Sequence, residues 1–412
     1  MKRKILVSIL ALTLSLSNLT TVFADTETEP SVDLVINVQP SDYSYLTDSL
    51  EEATLSNIWD VDDAKAAQRL TKGVDEPTTF NLTIEQAMLF MLASADVDYD
   101  EQRKELEENR SDLKNAVVGL EKLPILAFID SIDTYVQYQS LLYDVEAGIE
   151  SIEYGEKLAL QSYEMSLNNL AIADQVYQAN LHIAEADLAN EKKELERTKV
   201  QYDLDVISES SYKNAVATYD QNVIKLNSTF MDYKDFKSSI ASTLDLKPTD
   251  IVNLQYELKL EPVKYTAIEY TDRFLKYAPN LEMARASRDA AEKKFNLEDN
   301  YYTEATDAAE SSKDSAAESS SNIAYSIKSN TNKAYNSMIT STEALNQALL
   351  DYENAIKANE DTQLSYDLGY ISQSTLDKAD LGLVAAQATF TSALYDYDSA
   401  KLALDYAYLS AN

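Results

Sequence analysis

Apolar side chains recur at alternating steps of three and four residues over most of the chain. Between Lys157 and Tyr202 this spacing continues for about six heptads, as in the seam of a coiled coil. It resumes over residues 216–244 and again over residues 383–408. The pattern predicts an all-α fold of elongated antiparallel coiled-coil hairpins. The first run consists of Leu160, Tyr163, Leu167, Leu170, Tyr177, Leu181, Ala184, Leu188, Leu195 and Tyr202.

A short stretch between these apolar runs occurs twice. The first copy covers residues 202–210 and the second covers residues 366–374, and each copy ends one run and begins the next. Such a position is expected for the sharp tip of a helical hairpin. A repeated unit has to be recognised before the rest of the chain is interpreted. The sequence therefore predicts two tandem copies of one helix-tip-helix unit.

The lengths of the runs predict how each unit packs. A helix is expected to begin at Thr83 and to run to about Glu121. The Thr83 side chain can accept the Gln86 amide, and the Gln86 side chain can accept the Thr83 amide, as in a capping box. A helical arm over residues 125–205 would be about 120 Å long, and the returning arm over residues 209–245 about half of that. The simplest arrangement is one long helix faced by two short helices placed end to end.

The second half of the chain differs in containing a long polar stretch. A helix is expected to open at Thr266 and to continue through Ala278 and Pro279. Residues 303–322 contain no large apolar side chain before Ile323, which predicts a solvated loop or a frayed helix outside any core. Just before this half, apolar residues occupy every second position, as in a short strand: Leu254, Tyr256, Leu258 and Leu260.

These patterns divide the chain into five parts. Residues 1–24 have a basic head, a short apolar middle and a small-residue exit, as in a secretory signal peptide. The expected parts are a signal peptide at 1–24, an acidic N-terminal segment at 25–80, a first helical repeat at 81–247, a linker at 248–265 and a second repeat at 266–412.

Composition narrows the classes of function. Without the leader the chain has 32 Lys and Arg against 70 Asp and Glu, a net charge of −38, which repels nucleic acid and anionic lipid. This charge either keeps long exposed helices soluble or makes a lumen that attracts cations. The absence of cysteine excludes disulfides and a lipid-carrying cysteine. The expected location is the cell envelope or the extracellular space, with any membrane association made through partners.

No residue pattern predicts catalysis, a cofactor or a metal. The single histidine, His182, lies on the flank of the seam and is expected to be solvated. Asp96, Asp98, Asp100 and Glu107 have the spacing of a calcium loop, but Glu101 occupies the position that requires glycine. We therefore expect a protein that is not an enzyme.

Three motifs resemble the TolC family of outer-membrane efflux proteins. They are Leu-Thr-x-x-x-Ala at residues 82–87, Ala-Pro-Asn-Leu at 278–281 and Tyr-x-x-Gly-x-Ile-Ser at 366–372. The resemblance covers the chain from about Leu82 onward. It implies a homotrimer whose helical tunnel binds a periplasmic adaptor and, through it, an inner-membrane pump. The implied adaptor-binding residues are Leu204, Asp205, Val206, Ile207, Ser208, Leu368, Gly369, Tyr370, Ile371 and Ser372, with Tyr202 and Tyr366 at the end of the tunnel.

The sequence departs from the family at several points. The turn glycine is present as Gly369 but is replaced by Asp205 in the first copy, and Ser211 and Thr375 stand where many relatives have an acid. The alternating strand pairs of a membrane barrel are not recognisable, so a member with little or no β-barrel is expected.

Two functions follow from these expectations. The first is an efflux conduit, with a small molecule or a peptide as cargo. The alternative is a structural coiled-coil spacer of the cell envelope that does not conduct.

Overall fold

A computed structural model describes residues 60–73, 76–95, 97–256, 258, 260, 262–302 and 305–411. The expected signal peptide and most of the acidic segment lie outside these residues. The elements are α1 (Val61–Lys72), β1 (Thr79–Thr83), α2 (Ile84–Ala95), α3 (Tyr99–Glu121), α4 (Ile125–Ile129), α5 (Ile132–Asp203), α6 (Glu209–Thr243), β2 (Ile251–Gln255), α7 (Ala267–Tyr277), α8 (Pro279–Tyr301), α9 (Asp307–Asp367) and α10 (Gln373–Asp405).

The helices form two series of matching length. The first series, α2, α3, α5 and α6, has 12, 23, 72 and 35 residues. The second series, α7, α8, α9 and α10, has 11, 23, 61 and 33 residues. Both long helices end at the predicted tips. The predicted all-α fold with tandem hairpins is thereby confirmed.

The first series packs as one long helix faced by shorter ones. Helix α5 contacts α3 in its first half and α6 in its second half. The predicted capping box is present, because the Thr83 amide donates to Gln86 Oε1 at 3.0 Å and the Gln86 amide donates to Thr83 Oγ1 at 3.2 Å.

Two helix boundaries in this series differ from the prediction. The single helix expected over 83–121 is divided into α2 and α3, because Asp98 begins a new helix by accepting the Glu101 amide at 2.9 Å. The long arm does not start at Ile125, because the short helix α4 ends at Ile129 and α5 begins at Ile132.

A parallel pair of short strands joins the two ends of the first series. Strand β1 pairs with β2 in the register Thr79 with Ile251 through Thr83 with Gln255. The prediction of a strand over residues 254–260 is therefore wrong in its position, because the observed strand β2 ends at Gln255. Its partner was not predicted, because five residues that are followed at once by a helix carry little strand signal of their own.

The strands cover an apolar core at the middle of α5. Its fully buried large side chains include Phe80, Leu82, Phe90, Leu167, Ile240 and Val252. Phe80 and Leu82 belong to β1 and Val252 belongs to β2. Because these residues come from positions far apart in sequence, the core fixes α2, α5, α6 and both strands in one arrangement.

A buried ion pair lies next to this core. Lys237 Nζ is 2.8 Å from Asp174 Oδ2, and the two side chains are 3% and 4% exposed. The same amine donates to the Val252 carbonyl and to Asn253 Oδ1, both at 3.1 Å. All three ammonium donors therefore have acceptors, and one side chain ties α6 to α5 and to β2. Burial and the Asp174 carboxylate raise the pKa of the adjacent Tyr233.

The polar tract at 303–322 is helical over most of the residues that the structure describes. From Asp307 onward it is the first part of α9. The expectation of a loop or frayed helix is wrong for residues 307–322. Most of their side chains are nevertheless solvated, as expected, although Ser320 is buried. Small side chains let α9 approach α8, and Lys313 Nζ lies 3.6 Å from the centre of the Phe295 ring.

Candidate functional site

The first hairpin tip is closed by backbone hydrogen bonds and one residue with positive φ. Helix α5 ends at Asp203, and Asp205 has φ 57°. The Val206 amide donates to the Gln201 carbonyl at 2.8 Å, and the Asp205 amide donates to the Tyr202 carbonyl at 2.9 Å. These two bonds are the Schellman motif, which normally uses glycine at the positive-φ position. Aspartate takes that conformation at a moderate cost, so the tip forms without the permissive residue.

The second tip repeats this geometry with glycine. Gly369 has φ 75°, and its amide donates to the Tyr366 carbonyl at 2.8 Å. The Tyr370 amide donates to the Ser365 carbonyl at 2.9 Å. A Cβ at Gly369 would meet no atom within 4 Å, so glycine is required here for its backbone conformation and not for space.

Serine begins the returning helix at both tips. Ser208 Oγ accepts the Ser211 amide at 3.2 Å, and Ser372 Oγ accepts the Thr375 amide at 3.3 Å. The residues at 211 and 375, where acids were noted in relatives, here make hydroxyl contacts to the capping serines at 2.9 and 3.0 Å. The two turns are therefore built alike from the last turn of one helix to the first turn of the next.

The tips expose large apolar side chains, which we call the tip patch. Its members, between 58% and 79% exposed, are Leu204, Val206, Leu368 and Tyr370. Ile207 and Ile371 are half-buried, and Asp205, Ser208, Gly369 and Ser372 are exposed. An apolar side chain in water gains free energy when a partner covers it.

The two tips lie at the same end of the molecule. Helix α5 packs along α10, and the Arg197 guanidinium near the end of α5 pairs with the carboxylate of Asp377 near the start of α10. Arg197 also pairs with Glu194 at 3.1 Å. A cleft of about 320 Å³ opens between these helices and is lined largely by charged and amide side chains. This cross-link was not predicted, because nothing in the sequence shows which of many surface charges meet.

The two tyrosines expected at the end of the tunnel have different surroundings. The ring of Tyr202 stacks on Tyr212 of the returning helix, with 5.1 Å between centres and 9° between planes. Tyr366 is half-buried near the end of α9. The Tyr202 ring therefore stabilises its own hairpin. A role for either residue at a tunnel end is still a prediction.

Other kinds of site have little support in the described part of the chain. It contains no group of three or more His, Asp or Glu side chains placed to hold a metal ion. His182 Nδ1 lies 3.3 Å from Glu185 Oε2 on the same helix. None of the helices described is both long enough and apolar enough to cross a membrane.

Comparison with known proteins relates this fold to bacterial membrane channels. No protein-family model and no curated protein matches the sequence. The Campylobacter jejuni CmeC outer membrane channel matches at a TM-score of 0.55 and 11% identity, over 94% of this chain and 93% of that one. The Vibrio cholerae outer membrane protein VceC matches at 0.51 and 13%, over 66% and 75%.

A third match is a membrane protein from Pseudomonas aeruginosa, with a TM-score of 0.57 and 9% identity over 79% of this chain and 90% of that one. At these identities the comparison concerns the fold. The chain has the fold of TolC-like outer-membrane channels, and the resemblance read from its motifs is confirmed at that level.

Proposed function

We propose that three copies of this chain close into an α-helical conduit that takes part in efflux. The order in which the helices pack, in the half of the molecule that contains the tips, supports this proposal. Helix α6 packs on α5, α5 packs on α10, and α10 packs on α9. One copy therefore supplies four helices of an open wall, with α6 and α9 at its two edges. The fold shared with outer membrane channels supports a conduit over other uses of such a wall.

Both edges of this wall expose apolar side chains in rows. On α9, Tyr325, Ile339, Leu350 and Leu364 are exposed, and the spacing between successive members is close to a whole number of helical turns. On α6, Ile224 and Met231 are exposed seven residues apart. Such rows on a helix predict a partner helix. We propose that the α6 edge of one copy packs against the α9 edge of the next, which is a heterologous contact able to close a ring.

The tip patch is the proposed docking surface for an adaptor protein. In a ring of three copies, six nearly identical tips would surround one opening. The adaptor would contact residues 204–208 and 368–372, and Tyr202 and Tyr366 would stand at the tapered end of the tunnel. The mechanism is passive: the tips open or close when adaptor hairpins pack into the grooves beside them, and an inner-membrane pump supplies the cargo.

The remaining assignments complete the proposal. The chain is exported by the leader at 1–24 and acts in the cell envelope. Its two helical repeats, at 81–247 and 266–412, form the wall, and the acidic residues leave the conduit strongly negative. A small molecule or a peptide is the cargo. The protein carries out no catalysis of its own.

The mass of the purified, processed chain tests the conduit. A trimer is expected, and the double variant Ile224→Asp with Met231→Asp should reduce it to monomer while helicity is kept. A monomeric or dimeric wild type would refute the conduit, because such a species cannot enclose a tunnel. That outcome would favour the rigid spacer instead.

Adaptor co-purification tests the tips separately. The variant Leu368→Asp with Tyr370→Asp should lose the adaptor and remain trimeric, because both side chains are exposed. Gly369 and Ile371 are less suitable positions for this test. A charge there would also strain the positive-φ turn or disturb a half-buried side chain. Undiminished co-purification would exclude the second tip from docking.

A further inference from the structure

The end of α5 opposite the tips carries a second exposed apolar surface. Helix α5 has 72 residues, so its two ends are about 110 Å apart. The chain enters it through residues 123–129, Leu-Pro-Ile-Leu-Ala-Phe-Ile, which contain no polar side chain. Ile125 and Leu126 are each 79% exposed, and Leu123 and Ile129 are also exposed. We call these four residues the apolar cap.

The cap is held outward by an aromatic platform. Phe128, the remaining large side chain of α4, turns inward with its ring 5.3 Å from that of Tyr135. The Tyr301 ring lies 5.3 Å from Tyr135 and 6.4 Å from Phe128. These rings pack below α4, and the side chains of the cap face the solvent.

Two tyrosines next to the cap donate hydrogen bonds to exposed carboxylates. The Tyr135 hydroxyl donates to Glu121 Oε1 at 3.2 Å, and the Tyr302 hydroxyl donates to Asp133 Oδ1 at 3.1 Å. An apolar end backed by tyrosines with hydrogen-bonded hydroxyls is the arrangement found where a protein meets the boundary between lipid and water.

Size and shape argue against a protein as the occupant. A standard protein interface buries about 800 Å² on each partner. Even an aromatic side chain buries only about 150–250 Å². The exposed parts of the four aliphatic side chains, 79%, 79%, 54% and 37%, amount to about two and a half whole side chains and so fall short of that area. The cap also lies in the turn that joins α3 to α5, at the end of that helical hairpin. Insertion by about 5–10 Å into the boundary of a bilayer needs neither a large area nor a groove.

The charges around the cap select the type of lipid. Glu121, Asp130 and Asp133 lie beside it and are exposed, and Lys122 is the adjacent cation. Anionic headgroups would be repelled by this set. We propose that the apolar cap inserts into the interface of a bilayer with electrically neutral headgroups, and so anchors this end of the molecule peripherally. This proposal stands independently of adaptor docking at the tips.

Flotation with phosphatidylcholine vesicles tests the proposal on the processed chain. Wild type should float with the vesicles, and Ile125→Ser with Leu126→Ser should bind about 100-fold more weakly, because two of four inserted side chains are lost. The matched control is Leu204→Ser with Val206→Ser. It removes two similarly exposed apolar residues from the opposite end and should bind as wild type does.

Three results of the flotation experiment would overturn the proposal. Wild type could fail to bind the vesicles, the cap variant could bind them as strongly as wild type, or the tip control could lose as much binding as the cap variant. Stronger binding when phosphatidylglycerol is added would refute a neutral lipid surface. A cap variant that changes the mass of the protein without vesicles, while wild type does not bind them, would make the cap a contact between subunits.

The depth of insertion can be measured directly, because the chain has no native cysteine. An environment-sensitive fluorophore on Leu126→Cys should shift to the blue with vesicles and be quenched by brominated lipid. The same label on Leu204→Cys should do neither. A response from the tip label alone would contradict the assignment.

Discussion

Removal of the buried ammonium of Lys237 should destabilise the middle of the molecule. The variant Lys237→Met keeps much of the side chain but leaves Asp174 as an unpaired charge with 4% exposure. Breaking a buried pair from one side costs about 3–5 kcal/mol. The carbonyl of Val252 and the amide oxygen of Asn253 also lose their donor. We therefore expect a loss in the upper part of that range.

The repeat supplies a matched control. Lys401 occupies the position equivalent to Lys237 in α10, but it pairs with Asp405 four residues later on the same helix, and that carboxylate is 41% exposed. A helical pair of this kind contributes about 0.3–0.5 kcal/mol. The variant Lys401→Met should therefore cost several-fold less than Lys237→Met, although both remove one lysine from equivalent places.

Two measurements check this reasoning. Urea unfolding followed by circular dichroism should show the difference between the variants, and hydrogen exchange should show faster exchange at the β2 amides in Lys237→Met alone. The double variant Lys237→Met with Asp174→Leu removes both charges and should recover most of the loss. Equal losses for the two lysine variants, or no recovery in the double variant, would refute the assigned role of the pair.

Three further predictions concern individual positions, and the first of them compares two glycines. Gly369→Ala should cost about 1–2 kcal/mol because of its positive φ. Gly155 lies inside α5 with open space around a new Cβ, so Gly155→Ala should instead raise the free energy of unfolding by about 1 kcal/mol. Urea unfolding in which both glycine variants change stability in the same direction would contradict this. The hydrogen bond to Glu185 outweighs burial and raises the pKa of His182, so the stability from this pair is present below about pH 6.5 and is lost as pH rises through the folded pKa. Proton NMR of the single histidine should show that pKa falling in Glu185→Gln, and no change would refute the assigned cause. Thr266→Ala should cost about 1 kcal/mol in thermal unfolding by removing the capping box of α7, and an unchanged melting temperature would count against it.

The sequence predicts where the backbone turns of the candidate site lie, but it does not predict which of their side chains are exposed or in contact. The tips at 202–210 and 366–374 were found because a turn between two periodic runs leaves a local signal in the sequence. The exposure of Leu204 and Tyr370 could not be known in advance, since apolar residues are also the residues that fill cores. The apolar cap was missed for the same reason, because residues 123–129 read equally well as buried chain.

Local chemistry by itself determined the helical hairpins, the duplication and the helix caps. Heptad spacing, Thr83, Thr266 and the serines after each tip act within a few residues of where they stand. These features survive in any tertiary context that accepts the helices.

Tertiary structure alone decided what meets across long separations. The pairing of β1 with β2 and the ion pair between Asp174 and Lys237 join residues that are far apart in sequence. The helix that begins at Asp307 packs against α8, a contact that its polar sequence does not predict. The physical reason is that a hydrogen bond within a helix depends on neighbours along the chain. A buried charge or a short strand is stable only once distant segments have excluded water around it.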